Sequence, residues 1–108
     1  MSAYRKGLKA KTSGHIALVK RFYSKYRARI VAAIPKYGDF NQETDPRFFS
    51  VESQEECLDI GSYLEFGEAK RPDLSPFLQK IRAHFILGYE MLEEWERLER
   101  TPAREGDA

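Results

Sequence analysis

The chain has 108 residues, of which 42% are hydrophobic, 13% aromatic and 32% charged. This length suits one domain and is too short for two, and the apolar content excludes a globally disordered chain. Cys57 is the single cysteine, so an intrachain disulfide framework is excluded. Neither a secretory signal nor an apolar run long enough to span a membrane is present, so we expect a cytoplasmic protein without a membrane partner.

Charge is divided unevenly along the chain. Met1 to Lys36 contains ten Lys or Arg and no Asp or Glu, whereas the remainder contains eight basic and seventeen acidic residues. A basic surface of this kind suits phosphates or nucleic acid, and it also suits a helix that lies against acidic helices, within the chain or across a dimer. We favour the second interpretation because the two charges nearly cancel. Nucleic acid ranks last as a partner, since no DNA-reading motif is present.

The first third of the chain predicts a basic arm followed by a helix. Residues 1–13 are basic and aperiodic, which is typical of a flexible arm. A helix is expected from Gly14 or His15 to Ala33, where Pro35 stops it. Its apolar residues recur at intervals of three and four. They are Ile16, Val19, Phe22, Tyr23, Tyr26, Ile30 and Ala33.

A long, turn-rich connection then leads into a second helix. This helix is expected to begin near Ser50 or Ser53 and to end near Ala69, before the next proline. Ser53 and Glu56 have the spacing of a capping box, in which the hydroxyl accepts from an orphan amide and the glutamate reaches back.

The third helix is predicted from Ser75 to about Arg100, with proline at its first position and Thr101-Pro102 at its end. Its apolar stripe covers about half the circumference, which predicts contacts on two sides. The centre of the stripe is Phe77, Ile81, Phe85, Gly88, Leu92 and Trp95, widened by Leu78, Leu87, Tyr89, Met91 and Leu98. Neither a repeat nor a sustained heptad of apolar residues is found.

The sequence therefore predicts an all-α, three-helix domain over residues 14–100, between the arm and a loose tail at residues 101–108. The broad stripe and the modest apolar content predict a homo-oligomer, in which the domain dimerises into a larger helical bundle.

Four carboxylates on the second helix form the candidate chemical site. At 100° per residue they fall within an arc of about 100°, where they repel each other unless a cation or basic groups compensate. Clusters of carboxylate oxygens suit Mg²⁺ or Mn²⁺, although a solvated acidic helix face is the commoner explanation of such spacing. The four candidate metal ligands are Glu52, Glu55, Glu56 and Asp59.

The stretch from Lys36 to Phe66 resembles the MazG-like, all-α nucleoside triphosphate pyrophosphohydrolases, particularly short phage-type members. The similar features are the Lys36-Tyr37-Gly38 turn, the acidic E-E-x-x-D segment Glu55–Asp59, and the following Tyr63-Leu64. The resemblance implies Mg²⁺-dependent hydrolysis of a nucleoside triphosphate between its α and β phosphates. The four carboxylates would then hold the metal, which would bridge phosphate oxygens and help activate water. Lys36 would attract the substrate phosphate.

The chain departs from that family in one respect. The family carries a second acidic pair, E-x-x-E, on an earlier helix, whereas the first helix here has no carboxylate. Glu90 and Glu93 have the required spacing, but they belong to the third helix. A second subunit would have to complete the site, or the chain keeps the fold without the reaction. The alternative function is therefore a non-enzymatic helical interaction module that homodimerises, and no catalytic residue is assigned.

Overall fold

The computed structural model describes residues 3–103, with side chains described from Gly14 onward. It contains three α-helices: α1 (Ala3–Tyr37), α2 (Phe49–Lys70) and α3 (Ser75–Glu99). A single 3₁₀ turn, Pro72–Leu74, precedes α3, and residues 3–103 contain no strand. The predicted all-α, three-helix class is thus confirmed. Most of the predicted tail, residues 104–108, lies outside the described residues.

Contacts divide the chain after Asp45 into two units, Met1–Asp45 and Pro46–Ala108. The single domain over residues 14–100 stays a prediction. The first unit contains α1. The second contains α2 and α3, joined by the 3₁₀ turn into an antiparallel helical hairpin, and it carries the candidate carboxylates.

Helix α1 is longer at both ends than the sequence predicted. It starts at Ala3, within the predicted arm, and it continues through Pro35 to Tyr37. The expectation that Pro35 ends the helix was wrong, because this proline lies in the last turn, where its ring and missing N–H disturb few helical bonds. The helix ends instead at Gly38, whose φ of 80° is left-handed. The Gly38 N–H donates to the Ile34 carbonyl at 2.8 Å, as in a common helix C-cap.

Helix α2 spans almost the predicted range, but its capping box is not formed. The N-cap residue is Phe48, which has extended backbone angles and provides no side-chain cap. Ser53 therefore lies inside the helix. The earlier start brings Ser50 into the first turn, where its side chain is fully buried and its N–H lies 3.3 Å from Glu99 Oε2. The tertiary contact with α3 thus decides the helix start, and the local capping signal does not.

Helix α3 begins at the predicted residue with a different role for its serine. Leu74 is the N-cap residue, while the Ser75 hydroxyl donates to Glu68 Oε1 at 3.2 Å. The helix ends at Glu99, and the next residue, Arg100, donates its N–H to the Glu96 carbonyl at 3.0 Å. The predicted boundaries of α3 are confirmed to within one residue.

The two helices of the hairpin meet along a seam with intervals of three and four residues, the spacing of a coiled coil. Every residue of this inner seam is buried or half-buried. Several cross-helix hydrogen bonds fix its register, among them Cys57 Sγ to the Phe85 carbonyl at 3.4 Å. The inner seam comprises Ser50, Gln54, Cys57, Gly61, Leu64 and Glu68 of α2, and Ser75, Leu78, Arg82, Phe85, Tyr89, Leu92, Glu96 and Glu99 of α3.

The hairpin has a small and unusually polar interior. Among the described residues, Leu64 is the buried hydrophobic side chain, with 9% of its surface exposed. Arg82 and Glu68 form a cross-helix ion pair at 3.3 Å with about a third of each side chain exposed. Since the inner seam is rich in polar groups, hydrophobic burial inside the hairpin is limited. Further hydrophobic stabilisation would have to come from the exposed apolar residues elsewhere on α3.

Candidate functional site

Helix α3 carries a second row of residues at three- and four-residue intervals, which we call the outer seam. It lies beside the inner seam, and much of it is open to solvent: 61% of Phe77, 74% of Met91 and 54% of Leu98 are exposed. Ile81 and Gly88 are half-buried at its edge. The outer seam comprises Phe77, Ile81, His84, Gly88, Met91, Trp95 and Leu98.

An open cavity of about 550 Å³ runs between the outer seam and α2. Its floor is mainly apolar, and two carboxylates, Glu52 and Glu56, stand on its α2 side. We call this cavity the groove. The residues that line it are Glu52, Ser53, Glu56, Cys57, Ile60, Phe85, Gly88, Met91 and Leu92.

Gly88 stands in the groove without an evident role in the hairpin. Its backbone is not left-handed, and a Cβ built on it would meet nothing within 4 Å. Glycine inside a helix costs about 1 kcal/mol relative to alanine. The hairpin itself therefore gives no steric reason for glycine at this position, and the same holds for Gly61 of the inner seam.

The four predicted metal ligands are all exposed side chains of α2. Glu52 and Glu56 line the groove, whereas Glu55 and Asp59 do not. Within the described part of the chain, no group of three or more His, Cys, Asp or Glu side chains is placed so that it could hold a metal ion. The role of the four carboxylates as metal ligands stays a prediction.

Lys36, the predicted phosphate-binding residue, lies in the last turn of α1. Its ammonium group is 5.0 Å from the centre of the Tyr37 ring, within the range of a cation–π contact. Its role in binding a phosphate stays a prediction.

A polar network across the inner seam was missed by the sequence reasoning. Gln54 donates through Nε2 to Glu96 Oε1 at 2.8 Å, and Arg100 donates to the other oxygen of the same carboxylate at 2.7 Å. The hydrogen bond from Gln54, followed by that from Arg100, lowers the pKa of Glu96 below its usual range. The sequence feature that could have revealed this network is the regular three- and four-residue spacing of polar residues beside Phe85 and Leu92.

This network predicts a pH-dependent contribution to stability. Because folding lowers the pKa of Glu96, its contribution is present above the unfolded pKa, about 4.3 for glutamate, and is lost as the pH falls through the folded value. We expect wild type to melt above Glu96→Gln at neutral pH, and the difference to close in acid. Thermal melts across pH 3 to 7 measure it, with Glu90→Gln as a control for removing one exposed charge of α3. A difference that is equally large at both ends of the range would contradict the prediction.

Comparison with known proteins adds no further information about the site. No protein-family model matches the chain, and no match is found among curated proteins or solved structures. A separate search of the described helices finds none with the length and apolar character needed to cross a membrane.

Proposed function

We propose that the hairpin of α2 and α3 is a non-enzymatic helical interaction module through which the chain homodimerises. The observation that carries this proposal is the outer seam, a row of apolar residues left open beside an inner seam that buries little. Large exposed apolar surfaces on soluble proteins mark sites of association. The broad apolar stripe of α3 thus serves two purposes, with one edge facing α2 and the other facing a partner.

The size of this surface suits a stable dimer. From Phe77 to Leu98 the outer seam is about 32 Å long at a rise of 1.5 Å per residue. Two helices packed side by side are about 20 Å wide. The face therefore covers roughly 600 Å² in projection, and accessible area exceeds projected area, which approaches the ~800 Å² per partner of standard interfaces. Burying it would supply the hydrophobic stabilisation that the inner seam lacks.

Analytical ultracentrifugation of the full chain tests the proposal. We expect a species of twice the 12.6 kDa chain mass, and a melting temperature that rises with protein concentration because association stabilises the folded state. A chain that sediments as a monomer at its solubility limit, with a melting temperature independent of concentration, would refute self-association.

A second candidate is the metal-dependent pyrophosphohydrolase implied by the sequence resemblance. The supporting observation is that Glu52 and Glu56 stand together at the groove. This candidate predicts that Mg²⁺ or Mn²⁺ raises the melting temperature of wild type and not of Glu56→Ala or Asp59→Ala. Identical melts with and without metal in all three proteins would remove it, and they would leave the interaction module untouched.

A further inference from the structure

We infer that the dimer is a two-fold, antiparallel four-helix bundle in which the outer seam of α3 packs against the same seam of a second copy, with the axis passing near Gly88. This inference rests on the proposed self-association and specifies its partner and geometry. In a two-fold interface, the same surface is used by both subunits, so it must be complementary to itself. The outer seam meets this requirement when two copies are paired antiparallel about its centre.

An antiparallel pairing centred between Leu87 and Gly88 matches large residues with smaller or flexible ones. A residue before the axis meets, to within about one residue, the residue at the same distance after it. Aromatic rings at one end of the seam thereby meet aliphatic chains from the other. The resulting pairs are Phe77 with the partner's Leu98, Ile81 with the partner's Trp95, His84 with the partner's Met91, and Gly88 with the partner's Gly88. The outer seam itself contains no Asp, Glu, Lys or Arg.

The proposed dimer gives a steric reason for glycine at position 88. The two α3 backbones approach most closely at the two-fold axis, where a side chain on either helix would hold them apart. Within the hairpin, a Cβ on Gly88 meets nothing within 4 Å. The second copy supplies the neighbour that the hairpin lacks.

Charges beside the outer seam fix the direction of the pairing. Lys80, Leu87 and Glu94 form a row at seven-residue intervals on the side of the seam away from α2. In the antiparallel dimer, Lys80 faces the partner's Glu94, and Leu87 faces the partner's Leu87. A parallel pairing would instead place like charges opposite each other, which destabilises helix pairs. Glu94 is 53% exposed, and its two carboxylate oxygens accept from Arg97 of its own helix at 2.5 and 2.9 Å.

Helix α2 carries a row of residues that is also arranged symmetrically about its centre, and this centre lies level with Gly88 along the hairpin. Its row beside the groove is Ser53, Glu56, Ile60, Tyr63 and Gly67, which is centred on Ile60. Both Ile60 and Gly88 line the groove, so a single axis passes close to both residues. The two hairpins then pack helix against equivalent helix, and the partner's helices cover the apolar floor of the groove, while the exposed carboxylates of Glu52 and Glu56 stay at its rim.

Reciprocal charge reversal tests this geometry on the full chain. Lys80→Glu and Glu94→Lys each replace two attractive pairs of the dimer by two repulsive ones, so we expect each homodimer to dissociate about tenfold more readily. Mixing the two variants restores both pairs, and a heterodimer of near wild-type affinity is expected. Sedimentation of the separate and mixed proteins measures this.

A matched pair of substitutions locates the face. Met91 is 74% exposed on the outer seam, and Ile86 is 62% exposed on the opposite side of α3. Met91→Glu should weaken the dimer at least about tenfold, since a carboxylate would be buried at the interface, whereas Ile86→Glu should leave its affinity unchanged. Both sites are exposed in the hairpin, so far-ultraviolet circular dichroism should show that both variants fold.

The outcomes separate the geometry from self-association itself. If wild type is monomeric, the proposed function fails and the inference fails with it. If wild type dimerises but the mixture of charge variants is no tighter than either alone, the antiparallel seam is wrong while self-association stands. If Ile86→Glu dissociates the dimer and Met91→Glu does not, a different face is used.

Discussion

Leu64→Ala is expected to destabilise the hairpin by about 2 to 3 kcal/mol, the range for a large-to-small change at a buried leucine. Leu64 has 9% of its surface exposed and sits in the middle of the inner seam, where few other apolar side chains are available to close over the space left behind. For a domain of this size, such a loss lowers the melting temperature by roughly 10 to 20 °C. Thermal and urea melts followed by circular dichroism measure it.

Leu58→Ala is the matched control for that substitution. Leu58 is the same residue type on the same helix, but 57% of it is exposed and it lies away from the outer seam. Its truncation should cost less than about 1 kcal/mol. Equal costs at the two positions would mean that the inner seam does not form the interior of the hairpin.

The architecture was predictable because helix periodicity and chain breakers act locally. Apolar residues at intervals of three and four predicted α1 and α3, while the serines near the start of α2 and the proline after it predicted α2. The width of the α3 stripe predicted contacts on two sides. In the structure, that stripe divides into an inner part that faces α2, including Phe85 and Leu92, and an outer part that includes Met91 and Trp95.

What escaped prediction depends on contacts between elements. The inner seam has coiled-coil spacing, but so many of its members are polar, among them Gln54, Arg82 and Glu96, that a search for apolar heptads finds nothing. The start of α2 at Phe49 lies within one residue of the earlier of the two predicted starts, Ser50, whereas the capping box predicted at Ser53 is not formed.

The sequence predicted which positions of α2 carry the candidate site, but it did not predict how their side chains are arranged. Spacing correctly places four carboxylates on one arc of α2, but ligand geometry depends on how far each side chain reaches and on what stands opposite. Glu52 and Glu56 reach the groove, while Glu55 and Asp59 do not line it. An arc of acidic residues is compatible with a metal site, with a solvated surface or with the rim of an interface, and the sequence alone does not separate these.

The second large effect is expected from Phe85→Ala. The ring of Phe85 lines both the groove, about 550 Å³, and a smaller apolar cavity of about 180 Å³ on the opposite side of the hairpin. Its truncation would join the two and remove about 100 Å² of buried apolar surface, which at 25 cal/mol per Å² costs about 2.5 kcal/mol. Phe66→Ala, at a phenylalanine that is 61% exposed on α2, is the control and should cost much less.

The concentration dependence of this effect separates packing of the hairpin from packing of the dimer. Phe85 belongs to the inner seam, so Phe85→Ala should lower the melting temperature at every protein concentration. Met91→Glu acts only on the outer seam, and it should abolish the rise of the melting temperature with concentration while leaving the monomer limit unchanged. If Phe85→Ala changed only the concentration-dependent part, its ring would belong to the interface between chains, and the division of α3 into two seams would have to be redrawn.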